Sequence, residues 1–364
     1  MPVRTKSLND DKLKHFGHMK SLILPPLDHL YAAIIRARNS LYERGTFTIT
    51  KLERTVISIG NITTGGTGKT PLVEWIARAV ADEGKKVCIL TRGYGRNDPK
   101  RRVLVSDGET VFSHPAEAGD EPYLLARNLQ GIAAVISDAN RVAAAQGAIK
   151  HLHTDCFLLD DGFQHRRLAR DLDIVTIDAT NPFGGKRMLP SGRLREPLES
   201  LKRADCIVLT RCDQADDVQS TNAELQRFSG DRPVFQSSMH TVSVVPVNTN
   251  FEAPTTPTSI AAFCGIGNPQ SFFNHLERSG YKSVLQKSFA DHHVYTQGDI
   301  DRLQNEAKDA GAQMLLTTAK DAVKLKDLSF NIPCYSVEIE MKIENEEELR
   351  RLIRKAVRVS NNLY

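Results

Sequence analysis

The sequence predicts an α/β fold whose parallel sheet is covered by helices on both faces. Short apolar runs alternate along the chain with helical patterns such as residues 71–84 and 139–152. Runs that are apolar throughout are typical of strands buried on both faces. Six such runs lie in the first two thirds of the chain: TVISIG (55–60), KVCIL (86–90), IAAVIS (132–137), DCFLLD (155–160), LDIVTID (172–178) and DCIVLT (205–210).

Length and composition indicate a globular protein of two domains. The chain has 364 residues, and a domain usually takes roughly 100–200. The net charge of +4 is compatible with a phosphate-rich ligand or an anionic membrane surface. With 6% aromatic residues and no dense basic stripe, no nucleic-acid partner is expected. The six cysteines form no C-x-x-C pair, which favours free thiols. Neither a secretory signal nor a membrane-spanning helix is expected.

The pattern divides the chain into five segments. A connector is expected after the first strand series, because residues 234–248 alternate without a following helix and residues 251–259 are rich in Pro and Thr. A second series of strands and helices follows it. The predicted segments are an extension (1–20), a membrane-associating helix (21–45), a first α/β domain (46–233), an extended linker (234–258) and a smaller C-terminal α/β domain (259–364).

The segment 22–45 predicts an amphipathic helix. Its apolar residues recur at spacings of three and four, and Arg36, Arg38 and Arg44 add positive charge. Such a helix can lie in a membrane interface or pack on its own domain, and the pattern alone favours packing. The apolar positions are Leu27, Leu30, Tyr31, Ile34, Ile35, Leu41 and Tyr42.

A glycine-rich loop between the first strand and the next helix predicts a nucleotide site on a P-loop NTPase-like sheet. Thr63 stands where the pattern G-x-x-x-x-G-K-[ST] requires glycine, but the core GGTGKT is complete. Its backbone N–H groups would surround phosphates, Lys69 would reach the terminal phosphates and Thr70 would ligate Mg²⁺. The alternative is an incidental turn. The predicted nucleotide-binding residues are Thr64, Gly65, Gly66, Thr67, Gly68, Lys69 and Thr70.

Two acidic residues predict the remainder of a magnesium site. Asp160 and Asp161 end a buried strand, and carboxylate oxygens suit Mg²⁺. The alternative is a simple turn, since D-D-G is favourable turn chemistry. The loop that precedes Lys69 favours the metal site.

Two further stretches leave alternatives open. Asp120 precedes Glu121, Pro122 and a helical run, so that its type and place favour a helix cap. The stretch ADHH (290–293) is compatible with a metal site, with a catalytic base or with a polar loop.

Taken together, the polar stretches make the chain resemble the tetraacyldisaccharide 4'-kinase family of lipid A biosynthesis. They occur in family order over about residues 22–345, and DDGFQH followed by LREP is specific to the family. The matching stretches are GNITTGGTGKTP (60–71), LTRGYGR (90–96), AGDEPYLLA (118–126), LDDGFQHRRLARDLDIVTID (159–178), PFGGKRMLPSGRLREP (182–197), FCGIGNPQSFF (263–273), ADHH (290–293) and TTAKDAVKL (317–325).

The resemblance implies a phosphotransferase that moves the γ-phosphoryl group of ATP, with Mg²⁺, to the 4'-hydroxyl of a tetraacyl-disaccharide 1-phosphate. The family's Asp–His dyad falls on Asp120 and His292, and Glu196 matches a further active-site acid. Arg92, Arg193 and Arg195 are our candidates for phosphate contacts.

The resemblance also changes the interpretation of the N-terminal helix. It favours membrane contact, at the cytoplasmic face of the bacterial inner membrane, with the protein peripheral or monotopic. Departures from the family pattern are Thr64 and Gly185–Lys186, and Met19 is a candidate start. The alternatives are a nucleotide switch, on the weak TRCD (210–213) likeness to a GTPase motif, and a membrane-surface scaffold.

We expect Lys69→Ala to lower turnover by about 10²-fold or more, because one preorganised electrostatic donor contributes several kcal/mol to transition-state stabilisation. The measurement is turnover at saturating ATP. Turnover near that of the wild type would contradict the assignment of this loop as the catalytic one.

Overall fold

The computed structural model describes the backbone of residues 10–247 and 259–359, and the side chains of residues 27–247 and 259–358. The predicted extension therefore lies partly, and the Pro- and Thr-rich part of the predicted linker lies almost wholly, outside the described residues.

The described strands form one sheet of twelve, in the order β10-β9-β11-β12-β8-β7-β6-β1-β5-β2-β4-β3. The strands are β1 (Thr55–Asn61), β2 (Val87–Thr91), β3 (Val103–Ser106), β4 (Ala133–Ser137), β5 (Cys156–Asp160), β6 (Leu172–Asp178), β7 (Cys206–Thr210), β8 (Val234–Pro246), β9 (Ser259–Cys264), β10 (Lys282–Ser288), β11 (Met314–Thr318) and β12 (Cys334–Ile343). The α-helices are α1 (Asp10–Glu43), α2 (Lys69–Asp82), α3 (Pro115–Ala118), α4 (Asp120–Asn128), α5 (Arg141–Leu152), α6 (Val218–Ser229), α7 (Pro269–Arg278), α8 (Gln297–Asp309), α9 (Ala319–Ala322) and α10 (Glu346–Val359).

The predicted α/β fold class is confirmed. Every one of the six apolar runs forms a strand, and β1 lies between β5 and β6, parallel to both. The runs are continuous because helices cover both faces of the sheet. Ile57 packs in the cluster that contains α2, whereas its neighbour Val56 packs in the cluster that contains α5. The edge strand β3, which pairs antiparallel with β4, has no counterpart among the predicted runs.

The first part of the predicted connector is the strand β8 (Val234–Pro246), which joins the two halves of the sheet. The first residues of β8 pair in parallel with β7, from Val234 opposite Ile207. From Ser237 onward β8 pairs antiparallel with β12, the last strand of the chain. Beyond it β9, β10, β11 and β12 form the second α/β unit. The sheet is continuous across this junction, and the exact domain boundaries stay a prediction.

The C-terminal helix returns to the first half of the chain. Leu349 and Ile353 of α10 are buried in the same cluster as Leu72 and Ile76 of α2. The Arg350 guanidinium lies 5.1 Å from the ring centre of Trp75. The predicted division at residue 259 assigns α10 to the C-terminal domain. In the structure α10 also packs on α2, the helix that follows the P-loop, in the first half of the chain.

The helix α1 begins at Asp10, inside the predicted extension, and ends at Glu43. Its predicted apolar face is divided between two environments. Ile35 is buried, together with Ala32, which was not among the predicted apolar positions, whereas Leu27, Leu30 and Ile34 are 43%, 57% and 56% exposed. None of the helices in the described part of the chain combines the length and the hydropathy that crossing a membrane requires. All six cysteines are free thiols, as expected, and only Cys212 is not buried.

Candidate functional site

The loop between β1 and α2 is shaped by the strand beneath it. The Asn61 side-chain amide donates to the Thr63 carbonyl at 2.8 Å and to Thr67 Oγ1 at 3.1 Å. Thr210, at the end of β7, donates from its hydroxyl to the Thr67 carbonyl at 3.0 Å. Gly68 caps α2 without a side-chain hydrogen bond. The first backbone N–H groups of α2 therefore remain available to an anion in the cleft.

The structure explains why threonine is tolerated at position 63. Thr63 forms an isolated antiparallel bridge with Leu194 and does not have a positive φ. The left-handed conformations fall on Gly65, with φ 100°, and Gly68, with φ 75°. A Cβ atom at Gly65 would also lie 2.0 Å from Nη2 of Arg193. Glycine is thus required after Thr63 and not at it.

Lys69 and Arg195 converge on Asp161. Lys69 Nζ lies 3.4 Å from Asp161 Oδ1, and the Arg195 guanidinium donates to both carboxylate oxygens at 2.9 and 3.0 Å. Burial opposes ionisation of Asp161, but these two cations outweigh it and hold its pKa well below the usual range. Asp161 is therefore ionised and bound to Lys69 and Arg195, two cations that nucleotide phosphates would also attract.

Asp160 differs from its neighbour in its environment. Its carboxylate is buried and accepts a hydrogen bond from the Thr91 hydroxyl at 3.0 Å. Burial, reinforced by the nearby Glu121 carboxylate, raises the pKa of Asp160 to about 6. A bound cation would reverse this effect by stabilising the charged form.

The residues at this end of the cleft fit Mg²⁺ bound together with a nucleotide. Thr70, Asp160 and Asp161 line one cleft and offer oxygen ligands only. No group of three or more His, Cys, Asp and Glu side chains in the described residues forms a complete metal cage. Mg²⁺ usually takes one or two carboxylates and completes its shell with water and substrate phosphates, so the donor set matches.

Asp120 is paired with His292 across the two halves of the chain. Gly119 caps α4, and Asp120 is the first helical residue, without a side-chain capping bond. The alternative of a helix cap is therefore not what the structure contains. His292 Nδ1 lies 3.2 Å from Asp120 Oδ2. Burial disfavours the Asp120 carboxylate, but the hydrogen bond from His292 and the Lys324 ammonium lower its pKa.

The loop around His292 holds further charged groups. Lys320 Nζ lies 3.4 Å from His292 Nε2, 3.1 Å from Glu121 Oε1 and 3.5 Å from Asp291 Oδ1. His293 is directed away from Asp120, with Nε2 3.2 Å from Asp299. Of the two adjacent histidines, only His292 thus takes part in the cleft.

Sequence reasoning missed the lysines. Lys320 and Lys324 belong to the stretch TTAKDAVKL, which was matched to the family without any role. One signal could have indicated them: the matched stretch places an acidic residue, Asp321, between the two lysines. Spacing alone could not place them beside Asp120, which lies in another part of the chain.

The three candidate arginines occupy different places. Arg92 is exposed and lines the cleft. Arg193 donates from Nε to the Thr64 carbonyl at 3.1 Å, and so supports the loop. Arg195 is bound to Asp161. The geometry favours phosphate contact for Arg92 and Arg195 more than for Arg193, and the role of each of the three stays a prediction.

Glu196 lies behind the cleft and not in its wall. Its side chain is completely buried, and Asn39 Nδ2 donates to it at 2.9 Å. Arg38 and Arg203 approach its two oxygens at 3.3 and 3.2 Å. The candidate active-site acid is here engaged in fixing α1 to the first half of the chain.

The cleft between the halves has a volume of about 570 Å³, which is within the usual range for a ligand site. It joins the loop after β1, the ends of β2 and β5, and the loops around α7 and α9. Its polar lining residues include Lys69, Thr70, Arg92, Glu121, Asp160, Asp161, Arg195, Asp291, His292 and Lys320.

Comparisons with known proteins identify what this chain is similar to. The sequence profile of the tetraacyldisaccharide-1-P 4'-kinase family matches residues 20–358. The tetraacyldisaccharide 4'-kinase of Geobacter metallireducens is 40% identical over 339 residues, covering 92% of this chain and 98% of that protein. The protein of the same name from Chlorobium phaeovibrioides is 39% identical and covers 93% of this chain and 98% of its own. The crystal structure of LpxK from Aquifex aeolicus in complex with ATP is 34% identical, with a TM-score of 0.71, and covers 91% of this chain and 98% of that one.

We expect Glu196→Ala to lower the free energy of unfolding by about 2 kcal/mol, because it removes a completely buried carboxylate that accepts from Asn39 and pairs with the half-buried Arg38 and Arg203. Chemical denaturation measures the change. Glu199→Ala, on the exposed side of the same segment, is the matched control and should change stability by about 0.5 kcal/mol at most. Equal stability of the two variants would show that Glu196 does not anchor α1.

Proposed function

Because the chain belongs to the tetraacyldisaccharide-1-P 4'-kinase family, we propose that the cleft between its halves carries the 4'-phosphorylation reaction. The protein is an ATP-dependent kinase of lipid A biosynthesis, whose acceptor is the 4'-hydroxyl of a tetraacyl-disaccharide 1-phosphate. The assignment of residues depends chiefly on the contact between Asp120 and His292, because His292 lines the same cleft as the P-loop.

The nucleotide end of the cleft is assigned to residues 64–70. The N-terminus of α2 and the loop N–H groups bind the phosphates, and Lys69 stabilises the negative charge on the transferred group. In the structure Lys69 Nζ lies 3.4 Å from Asp161 Oδ1. When nucleotide binds, the ammonium would leave this carboxylate and contact phosphate oxygens instead. Bound Mg²⁺, held by Thr70, Asp160 and Asp161, would neutralise charge on the phosphates.

The acceptor end is assigned to Asp120 and His292. The 4'-hydroxyl oxygen attacks the γ-phosphorus, its proton passes to an Asp120 carboxylate oxygen, and the bond from the γ-phosphorus to the β,γ-bridging oxygen breaks. ADP carries away the electron pair of that bond. His292 orients Asp120 through Oδ2, and Tyr94 covers the imidazole with ring centres 5.2 Å apart. Positioning and charge neutralisation are the main demands of such a transfer.

The membrane-facing surface is assigned to α1 and the segment that follows it. Leu27, Leu30 and Ile34 form an exposed apolar ridge, and Phe47 and Ile49 are also 41% and 44% exposed. The opposite side of α1 is fixed to the first half of the chain, because the Asp28 carboxylate accepts from the Ser191 hydroxyl at 2.6 Å. An amphipathic helix held in this way supports peripheral binding to anionic lipid at the cytoplasmic face of the inner membrane.

We expect Asp120→Asn to lower kcat by about 10²-fold or more and to leave ATP affinity nearly unchanged, since asparagine keeps the shape but cannot accept the proton. His292→Ala should lower kcat less and alter its pH dependence. The losses should be non-additive in the double variant if the pair acts as a unit. The measurement is the set of kcat–pH profiles with Mg²⁺–ATP and the disaccharide lipid. Wild-type kcat in Asp120→Asn would leave the base unidentified.

We expect the variant Leu27→Ser, Leu30→Ser, Ile34→Ser to bind anionic vesicles less strongly and to show a higher apparent KM for lipid, because it removes the exposed ridge. KM for ATP should not change, since the P-loop lies elsewhere. Leu104→Ser with Phe112→Ser, two exposed apolar residues near the β3 edge, is the matched control. Vesicle sedimentation that is unchanged in the triple variant would assign membrane binding to another surface.

A further inference from the structure

We propose that Lys324 is a positioning residue for the transfer, which holds the Asp120 carboxylate charged and oriented from the second half of the chain. This inference rests on the proposed role of Asp120 and extends it. Lys324 Nζ lies 3.7 Å from Asp120 Oδ2 and 3.0 Å from Asp321 Oδ1, so that one ammonium bridges carboxylates from the two halves. Its side chain is only 9% exposed.

Asp321 is a rigid anchor for this lysine. Its side chain is completely buried. Its Oδ2 atom accepts from the Gly265 N–H at 2.9 Å and from the Thr318 hydroxyl at 2.7 Å. The Lys324 ammonium also lies 5.2 Å from the ring centre of Tyr295. The amine is therefore held by a fixed carboxylate and an aromatic face, and its position does not depend on Asp120.

The ammonium retains unused hydrogen-bonding capacity. Within the described residues, Lys324 Nζ is buried and forms ion pairs but no hydrogen bond of good geometry. A buried donor without an acceptor is costly, so a small approach of Asp120 toward Lys324 would be favourable. Such an approach would draw the two halves together at the site.

The contacts on Asp120 leave one oxygen for chemistry. Both His292 and Lys324 approach Oδ2. In the described part of the chain, the side-chain partners of Asp120 do not include any for Oδ1. With Oδ2 held from the second half, Oδ1 is the oxygen that the hydroxyl proton would reach. Lys324 thus contributes to which oxygen acts, without touching the substrate itself.

The positive charge of Lys324 also affects the pKa of Asp120, which can be measured. The charged and titratable groups that face Asp120 are His292, Lys320 and Lys324 from the second half, and Tyr94, on the loop after β2, packs on His292. Burial raises the pKa of Asp120, and His292, Lys324 and Lys320 together lower it. Lys320 differs from Lys324, because its ammonium is paired with Glu121 and Asp291. Removing Lys324 therefore raises the pKa of Asp120 with little change in the charge around His292.

The test compares pH profiles of kcat/KM for the lipid acceptor in Lys324→Met, Lys324→Arg and wild type. Asp120 must be ionised to accept the proton, so activity is present above its pKa and lost as the pH falls through it. Lys324→Met should move this acidic limb upward by about one pH unit or more, as expected for loss of a cation within 4–6 Å. In Lys324→Arg the acidic limb should return most of the way to its wild-type pH. KM for ATP should change less than about twofold in both Lys324 variants.

Lys326→Met provides the matched control. Lys326 lies two residues away, is exposed and donates to the Tyr123 hydroxyl at 3.3 Å. Its profile should coincide with that of the wild type. A Lys324→Met profile that also coincides with the wild type would overturn the proposal, whatever its effect on thermal stability.

A second variant removes the buried pair as a unit if Lys324→Met alone does not fold. Asp321→Asn with Lys324→Met leaves no uncompensated charge, and the acidic limb should move upward as in the single variant. An unmoved limb in this folded double variant overturns the proposal. Failure of the proposed function is a separate result, because it appears as wild-type kcat in Asp120→Asn.

Discussion

The antiparallel pairing of β8 with β12 is the interaction on which the site depends. β8 begins beside β7, whose last residue, Thr210, donates to the P-loop at Thr67. The same strand then pairs with β12 along the second half of the chain. The Thr210 hydroxyl and the backbone hydrogen bonds of β8 therefore connect the phosphate-binding loop to the elements that carry His292, Lys320 and Lys324. A ladder of this kind fixes register but permits twisting, which suits a cleft that must admit two substrates.

The charged side chains of the cleft neutralise one another in two small clusters. Lys69 and Arg195 neutralise Asp161, and Lys320 neutralises Glu121 and Asp291. A buried charge without a partner is costly, so these pairs keep each group in place. Phosphate oxygens or a metal ion can then replace one partner of a pair, and no group needs to be brought in from bulk water. The opposite pKa directions of the adjacent Asp160 and Asp161 follow from the same arrangement.

Two adjacent residues connect α1 with the cleft. The side chain of Arg195 binds Asp161, while its backbone carbonyl accepts from the Tyr31 hydroxyl at 3.2 Å. The next residue, Glu196, is directed the other way and binds Asn39 and Arg38 of α1. The stretch that the sequence marked as one motif thus performs two tasks. It supplies a cation to the cleft and attaches the helix whose exposed ridge faces outward.

Most of the strands, the P-loop and the acidic pair after β5 could be predicted from the sequence, because each depends on neighbours in the chain. Strands that are apolar throughout need helices on both faces of the sheet, which the sequence pattern shows directly. The glycines of the P-loop are also visible in the sequence, and those that have a positive φ, Gly65 and Gly68, follow Thr63. Three features became visible only in the folded chain: Glu196 is buried behind the cleft, α10 returns to α2, and Lys324 approaches Asp120. These contacts join residues far apart in sequence. Charge pairs of that kind have no local periodicity, since their energy depends on distance and burial in the folded chain and not on spacing along it.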